Sequence, residues 1–257
     1  AMNILVLIKQ VPQTEAATDI DPAGTNITRS PVTVYKMNRF DEYALEEALL
    51  IKDRHPETRV DVMSLGPDRA KEVIRRAYGL GADEGFHLMT DDAVCHDPSA
   101  VAAQIAGQAG KGAYDLILAG VMSEDLMQSQ TGQMVAEMLG FPCVTSVVEL
   151  LLDGDVRRLQ LKRELEGGVR QRIEAELPCV LTIQAGINTP RYPSLSKVLR
   201  AADKAMETVK TEPGPSRQHC VQVRLPEKQR AGLMVEGGRD EKVRELARIL
   251  RQKNILN

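Results

Sequence analysis

The sequence predicts a doubly wound α/β protein. Its mostly parallel sheet would carry an antiparallel hairpin extension and a C-terminal strand-helix arm. Three observations predict this. Short apolar runs at 3–8, 60–65, 84–89 and 114–119 alternate with helical patterns, at the roughly 30-residue spacing of βαβ units. After Pro142 the alternation gives way to four strand-like runs separated by turn residues. Beyond the Pro- and Gly-rich stretch 212–216 there remain one short strand pattern and one amphipathic helix, too little to bury a core of its own.

Residues 3–8 include Ile4, Leu5, Val6, Leu7 and Ile8, an unbroken apolar run suited to a strand covered on both faces. Residues 10–37 are polar and turn-rich, and a small hairpin is expected around Asp21, Pro22, Ala23 and Gly24. A helix is expected over 41–53. Ala44, Leu45, Ala48, Leu49 and Ile51 form its apolar side, and acids occupy the first turn, where the helix dipole favours them. The strand at 60–65 leads through Gly66, Pro67 and Asp68 into a helix reaching residue 78, with Gly79 and Gly81 as its stop. After the strand at 84–89, Asp97 and Pro98 supply a cap and a first-turn proline for an Ala-rich helix running to about Gly110.

The strand at 114–119 and a helix at 131–139 flank a loop of small and polar residues. Met134, Val135, Met138 and Leu139 share one face of that helix. In an open α/β sheet, ligands lie at the carboxyl ends of strands, and the free N–H groups of a helix N-terminus suit phosphate. The loop alone reads equally as an ordinary connection. Strands are then expected at 144–152, 156–161, 169–174 and 180–184. Turns at Asp153, Gly154 and Asp155 and at Glu166, Gly167 and Gly168 separate the first three. A short helix at 196–206, a linker at 212–216, a strand at 221–225 and a final helix at 239–252 complete the chain. The last helix has Val243, Leu246, Ala247 and Leu250 on one face. The division expected is an α/β domain at 1–210 and a linker with an arm at 211–257 that clasps either its own domain or a partner subunit.

Composition narrows the function. Net charge is −3, there is no Trp, and Phe and Tyr number three and five, so neither a phosphate-binding surface nor a base-stacking platform is evident. Nucleic acid is therefore not an expected partner. No apolar run approaches the roughly 20 residues of a membrane-spanning helix, and membrane insertion is not expected. Cys95, Cys143, Cys179 and Cys220 are scattered, as suits reduced thiols, and a cytoplasmic location is preferred over a matrix-like one.

No catalytic or metal constellation emerges. Gly79, Gly81 and Gly85 end a helix and precede a strand, the reverse of the dinucleotide fingerprint. His96 beside Cys95 lacks further ligands at metal-site spacing and reads as a surface histidine near a helix cap. Ser123 and Ser129 have no adjacent histidine to act as base. This favours a binding or carrier protein over an enzyme.

The most specific stretch is 163–195. Arg163 and Glu164 are followed by Gly167 and Gly168, then by Leu177, Pro178, Val180 and Thr182, then by Asn188, Pro190, Arg191, Tyr192 and Leu195. This stretch resembles the signature region of the electron-transfer flavoprotein β subunit. Further matches are Ile8 to Val11, Asn38 to Glu42, Ser64 to Pro67, Gly81 to Asp83, and Gln130, Thr131 and Gly132, so the resemblance covers essentially the whole chain.

The resemblance implies a Rossmann-like, adenine-nucleotide-binding fold and a heterodimer with an α subunit. Redox FAD is shared with, and held mainly by, that α subunit. The β subunit carries AMP as a structural nucleotide; in flavin-bifurcating members a second FAD takes its place and accepts hydride from NADH. The implied pocket comprises Leu7 and Leu65, whose backbones would edge the adenine. It also takes in Asn38, Arg39, Phe40 and Asp41, and the loop Gly120, Val121, Met122, Ser123, Glu124, Asp125, Leu126, Met127, Gln128, Ser129, Gln130 and Thr131. Ser129, Gln130 and Thr131 would meet the phosphate. A loop at 184–204 would dock a flavin dehydrogenase, such as an acyl-CoA dehydrogenase. Leu195 would be its apolar anchor, among Tyr192, Pro193, Ser194, Ser196, Val198 and Leu199. The competing reading is that Leu195 packs inward.

The loop departs from the acidic patterns common in the family. Thr131 and Phe40 resemble AMP-binding members, whereas Val11, Pro12 and the turn at Asp21 look more like bifurcating ones. AMP is the favoured expectation. A different class of protein, a stand-alone nucleotide-binding regulator, is the remaining alternative.

Overall fold

The computed structural model describes residues 2–13, 18–152, 157–211, 214, 216–225 and 232–256. The turn expected at Asp153, Gly154 and Asp155, and residues 212, 213 and 215 of the expected linker, lie outside them.

Strand β1 (Asn3–Leu7) is followed by β2 (Gln10–Pro12), β3 (Thr18–Ile20), β4 (Ile27–Arg29) and β5 (Tyr35–Met37). The strands β3 and β4 form the hairpin expected at Asp21, whose carboxylate accepts from the Thr25 and Asn26 amides at 2.8 and 3.1 Å. The antiparallel pair β2 and β5 was not expected from the sequence, because three-residue strands carry too little periodicity to register.

Helix α1 (Arg39–Arg54) buries the five expected apolar residues, but also Asp41, Glu46 and Glu47. Strand β6 (Arg59–Gly66) leads through a short 3-10 turn (Asp68–Ala70) into α2 (Lys71–Leu80). Gly81, at φ 130°, ends α2. Gly79 does not; it lies inside the helix, where a side chain would sit 3.5 Å from the Cα of Val198. The glycine there serves close packing and not termination.

Strand β7 (Glu84–Met89) and a 3-10 turn (Asp92–His96) precede α3 (Pro98–Ala109), which Asp97 caps through its bonds to the Ser99 and Ala100 amides. Strand β8 (Leu116–Gly120) and α4 (Thr131–Leu139) flank the loop in question. Strands β9 (Cys143–Leu152), β10 (Arg158–Glu164), β11 (Arg170–Glu176) and β12 (Cys179–Ile183) follow, then α5 (Leu195–Ala202), β13 (Glu207–Lys210) and α6 (Arg239–Gln252).

Two expectations near the C-terminus are corrected. Residues 221–225 do not form a strand. Val221 and Leu225 lie exposed, and among the described residues only the Val223 amide reaches a backbone partner, Gly24 O at 2.7 Å. The late strand is instead β13, which pairs parallel with β7 at the sheet edge. Its sequence, Glu207, Thr208, Val209 and Lys210, is short and polar, as edge strands are.

Nine strands form one sheet in the order β11-β10-β9-β12-β8-β1-β6-β7-β13 among the described residues. All neighbours from β9 to β13 in that order are parallel, and β10 and β11 add antiparallel to β9 as the extension. Alternate residues of β1 face opposite layers. Ile4 and Val6 pack with α1 and α2, and Leu5 and Leu7 with α3 and α4. Burial on both faces explains why the parallel strands read as continuous apolar runs. The chain first builds outward from β1 through β6 and β7, then returns to pair β8 on the other side of β1. That reversal opens a crevice at the carboxyl ends of β1 and β8. No helix among the described residues is long and apolar enough to cross a membrane.

Candidate functional site

The crevice is floored by Leu7 at the end of β1, Leu65 near the end of β6 and Gly120 at the end of β8. It encloses about 780 Å³, part of it open to solvent. Asn38 and Asp41, from the start of α1, form one wall. The loop residues Val121, Met122, Ser123, Leu126, Gln128, Ser129, Gln130 and Thr131 form the other.

Four of the expected residues stand off this cleft. Arg39 is exposed, Phe40 packs behind Gly120, Glu124 turns away toward Lys36, and Met127 is 68% exposed. Asp125 lies on an adjoining cleft. Lining residues that sequence reasoning missed include Lys9, Met63, Cys95, Pro98, Val101 and Ile105. The cap at Asp97 was the available signal for Pro98, because it starts a helix beside the crevice.

Asp41 holds the floor together. Its buried carboxylate accepts from the Lys9 amide at 2.7 Å and the Gly120 amide at 3.1 Å, joining the ends of β1 and β8. Burial pushes the carboxyl up to about 7, against these hydrogen bonds and the Lys9 charge. Gly120 has no room for a side chain. A Cβ there would lie 2.3 Å from Asp41 Oδ1 and 2.7 Å from the Phe40 Cβ.

The loop is fastened from three directions. The Asn38 amide donates to Met122 O at 2.9 Å and accepts from the Glu124 amide at 3.1 Å. Glu124 accepts from the Arg39 amide and pairs with Lys36 at 3.0 Å. Lys9 Nζ pairs with Asp125 at 2.8 Å and donates to Ser123 Oγ at 3.3 Å. Burial raises the Asp125 carboxyl, and the Lys9 charge and the hydrogen bonds outweigh it, leaving the group below its usual range. The acids of this loop therefore act as fasteners.

Past them the backbone forms a concavity lined by amides. Ser129 takes φ 53°, and Gln130 follows at φ −118°, ψ −35°. A left-right pair of this kind turns successive amides to one side, the arrangement of an anion-binding concavity. The first-turn amides of α4 add unpaired donors. Gly132 keeps this end of α4 against β12, where a side chain would meet Thr182 Cγ2 at 2.7 Å.

Little here can do covalent chemistry. Ser123 Oγ accepts from Lys9 Nζ, which is itself paired with Asp125, and among the described residues the Ser123 hydroxyl meets no histidine. Burial, the largest influence on Cys95, pushes its thiol up to about 11, which keeps it protonated and unreactive. His87 is fully buried, with Nε2 3.0 Å from Gly66 O, and His96 is exposed beside the α3 cap. Among the described residues, no group of three or more His, Cys, Asp or Glu side chains is placed to hold a metal ion.

The second cleft, of about 1590 Å³, continues from the first and shares Lys9, Leu65, Cys95, Leu126 and Gln128 with it. Arg69, stacked 4.3 Å over Tyr35, lies in it. Its outer wall is Gln218, His219, Cys220 and Val223. That wall is pinned by Asp97, whose Oδ2 accepts from Ser216 Oγ, Arg217 N and Gln218 N at 2.8, 2.6 and 3.2 Å.

The residues of the expected docking loop do not join the cleft. Tyr192, Leu195 and Leu199 are 89%, 75% and 64% exposed, Val198 is 41% exposed, and Pro193 packs toward Gly79. Ser194 precedes the first residue of α5 without a side-chain cap bond, its Oγ 3.2 Å from that of Ser196. Leu195 is not a core residue.

Fold and site together define a doubly wound α/β protein with a crevice at its strand reversal, at the carboxyl ends of β1 and β8. The family model described as the electron transfer flavoprotein domain matches residues 32–213. Curated relatives named electron transfer flavoprotein subunit beta cover nearly the whole chain. One from Methylophilus methylotrophus is 34% identical, over 98% of this chain and 98% of its own. One from Homo sapiens is 33% identical, over 96% and 99%. One from Thermoanaerobacterium thermosaccharolyticum is 35% identical, over 99% and 100%. The chain belongs to the electron transfer flavoprotein β-subunit family.

Proposed function

We propose that this chain works as the β subunit of a heterodimeric electron-transfer flavoprotein, an electron carrier and not a catalyst. In this reading it binds AMP structurally. Its α subunit shares the redox FAD, and a flavin dehydrogenase, such as an acyl-CoA dehydrogenase, docks on it to pass electrons to a downstream acceptor. The observation that carries the reading is the crevice at β1 and β8. It offers left-handed Ser129, Gln130, Thr131 and the α4 amides to a phosphate, beside apolar Leu7, Met63 and Leu65 for an adenine. Within the linker and arm at 211–257, α6 is the element that contacts the α subunit in this reading, because it buries no residue in this chain and leaves Val243 and Leu246 exposed.

A second reading has a specific observation behind it. The adjoining cleft continues from the first and shares Lys9, Leu65, Cys95, Leu126 and Gln128 with it, so a second FAD could extend from one into the other, as in a bifurcating subunit. Nucleotides released by denaturing the purified heterodimer separate the two. One flavin with one AMP is the expected result; two flavins and no AMP would overturn it. A chain that never copurifies with flavoprotein when co-expressed with its α subunit would instead be the stand-alone regulator.

A further inference from the structure

Glu46 and Glu47 are 5% and 4% exposed, and the crevice uses neither. Two adjacent buried carboxylates on one helix are costly unless well partnered. Their partners all lie about 140 residues later, in the loop that leads into α5. Arg191 gives Glu46 its backbone amide at 3.0 Å, its Nε at 3.0 Å and its Nη2 at 3.0 Å. The same Nη2 reaches Asp53 at 2.7 Å, about two turns further along the same face of α1. Asn188 donates to both Glu47 Oε2 at 2.9 Å and Tyr43 O at 3.0 Å.

The far side of the segment is fixed too. Tyr78 donates to Ala205 O at 2.9 Å, and Lys204 Nζ lies 4.3 Å over the Tyr78 ring while donating to Ala82 O at 3.2 Å. Between these two anchors, α5 buries only Ala201, and Tyr192, Leu195 and Leu199 point outward.

We propose that Glu46 is a positioning residue for docking: through Arg191 it holds Tyr192 and the start of α5 so that Tyr192, Leu195 and Leu199 stand as one preformed apolar surface for the partner dehydrogenase. The inference rests on the docking role proposed above. A large exposed apolar cluster on eight helical residues would lose order on its own, and ordering it at each encounter would weaken binding. The Arg191 fork removes that requirement. Its two-oxygen geometry is specific to guanidinium, so lysine does not replace it.

The test uses the intact heterodimer. Glu46→Gln keeps the shape of the side chain and removes its charge. It is expected to raise KM for the dehydrogenase about tenfold, with kcat within about twofold and nucleotide content unchanged. Hydrogen exchange of residues 191–202 should speed up in the same variant. Arg191→Lys should behave like Glu46→Gln, and Asp53→Asn, on the exposed side, should show the same split at smaller size. Unchanged KM with unchanged exchange would overturn the proposal, as would an equal fall in kcat with KM constant. If Glu46→Gln does not fold, Asp53→Asn decides on the same terms. Leu195→Ala separates the two claims, because it removes the anchor without touching the clamp. If electron transfer from the dehydrogenase is unaffected by Leu195→Ala, the docking role fails, and faster exchange in Glu46→Gln alone then decides for or against the clamp.

Discussion

Asp97→Ala lowers the thermal midpoint by about 5 °C and frees residues 216–223 to proteolysis, as an expected result. One carboxylate, 4% exposed, accepts five hydrogen bonds: two cap α3, and three hold Ser216, Arg217 and Gln218. Loss of a cap alone costs about 1 kcal/mol, and the released backbone adds a similar amount. About 2 kcal/mol corresponds to a shift of this size for a protein of this length. The pH dependence gives an independent check. Burial raises the Asp97 carboxyl, but the bonds from Ser216 and the three amides outweigh it and bring it down to about 2. An acid lowered from its unfolded value of 3.8 stabilises the fold above that value and loses the contribution as pH falls toward 2. Wild-type stability should therefore fall more steeply than that of Asp97→Ala between pH 4 and about pH 2. Parallel curves in urea titrations across that range would contradict the role assigned to Asp97.

Gly120→Ala is expected to empty the crevice. The added Cβ would fall 2.3 Å from Asp41 Oδ1 and 2.9 Å from the Phe40 carbonyl carbon, so backbone as well as side chain must move. Displacing Asp41 frees the Lys9 amide and uncouples the ends of β1 and β8. Overpacking of this kind costs about 1–3 kcal/mol. The purified heterodimer should carry well under half the wild-type AMP and melt several degrees lower. Full AMP content in the variant would show that the crevice is not the nucleotide site. Asp41 itself gives a signed pH effect. Its carboxyl is raised to about 7 by burial, from 3.8, so its neutral form suits the fold. That contribution is complete below pH 3.8 and is lost as pH rises through 7. Asp41→Asn should flatten this part of the stability profile, as measured by chemical denaturation between pH 5 and 8.

The legible parts of this chain were those whose physics is local or strongly periodic. The strand at Glu84–Met89 and the helices Thr131–Leu139 and Arg239–Gln252 have bounds that the apolar spacing and caps already indicate. Asp97 with Pro98 marked a helix start, and the structure shows that cap in place. The four-strand region after Pro142 followed from its turn residues. What could not be read depends on distant partners. Glu46 and Glu47 look like ordinary acids on the wet face of an amphipathic helix, and only Arg191 and Asn188 explain their burial. Gly79 looks like a stop signal until α5 is seen lying against it. β13 needs the free edge of β7 to be recognised as a strand. In the crevice, the loop residues stood together in sequence and stand together in space. Lys9 and Ile105, roughly 95 residues apart, meet only because the strand order reverses at β1.

That reversal also bears on biosynthesis. β1 leaves the ribosome before the other strands of the sheet, and β6 can pair with it once residue 63 has emerged. Its other edge stays bare until Leu116–Gly120 exists, while β6, α2, β7 and α3 are made. Ile4, Leu5, Val6 and Leu7 thus spend that interval as an apolar strand with one row of open backbone groups, the kind of edge that invites pairing with the wrong chain. A nascent chain that ends before β8 is therefore one vulnerable species.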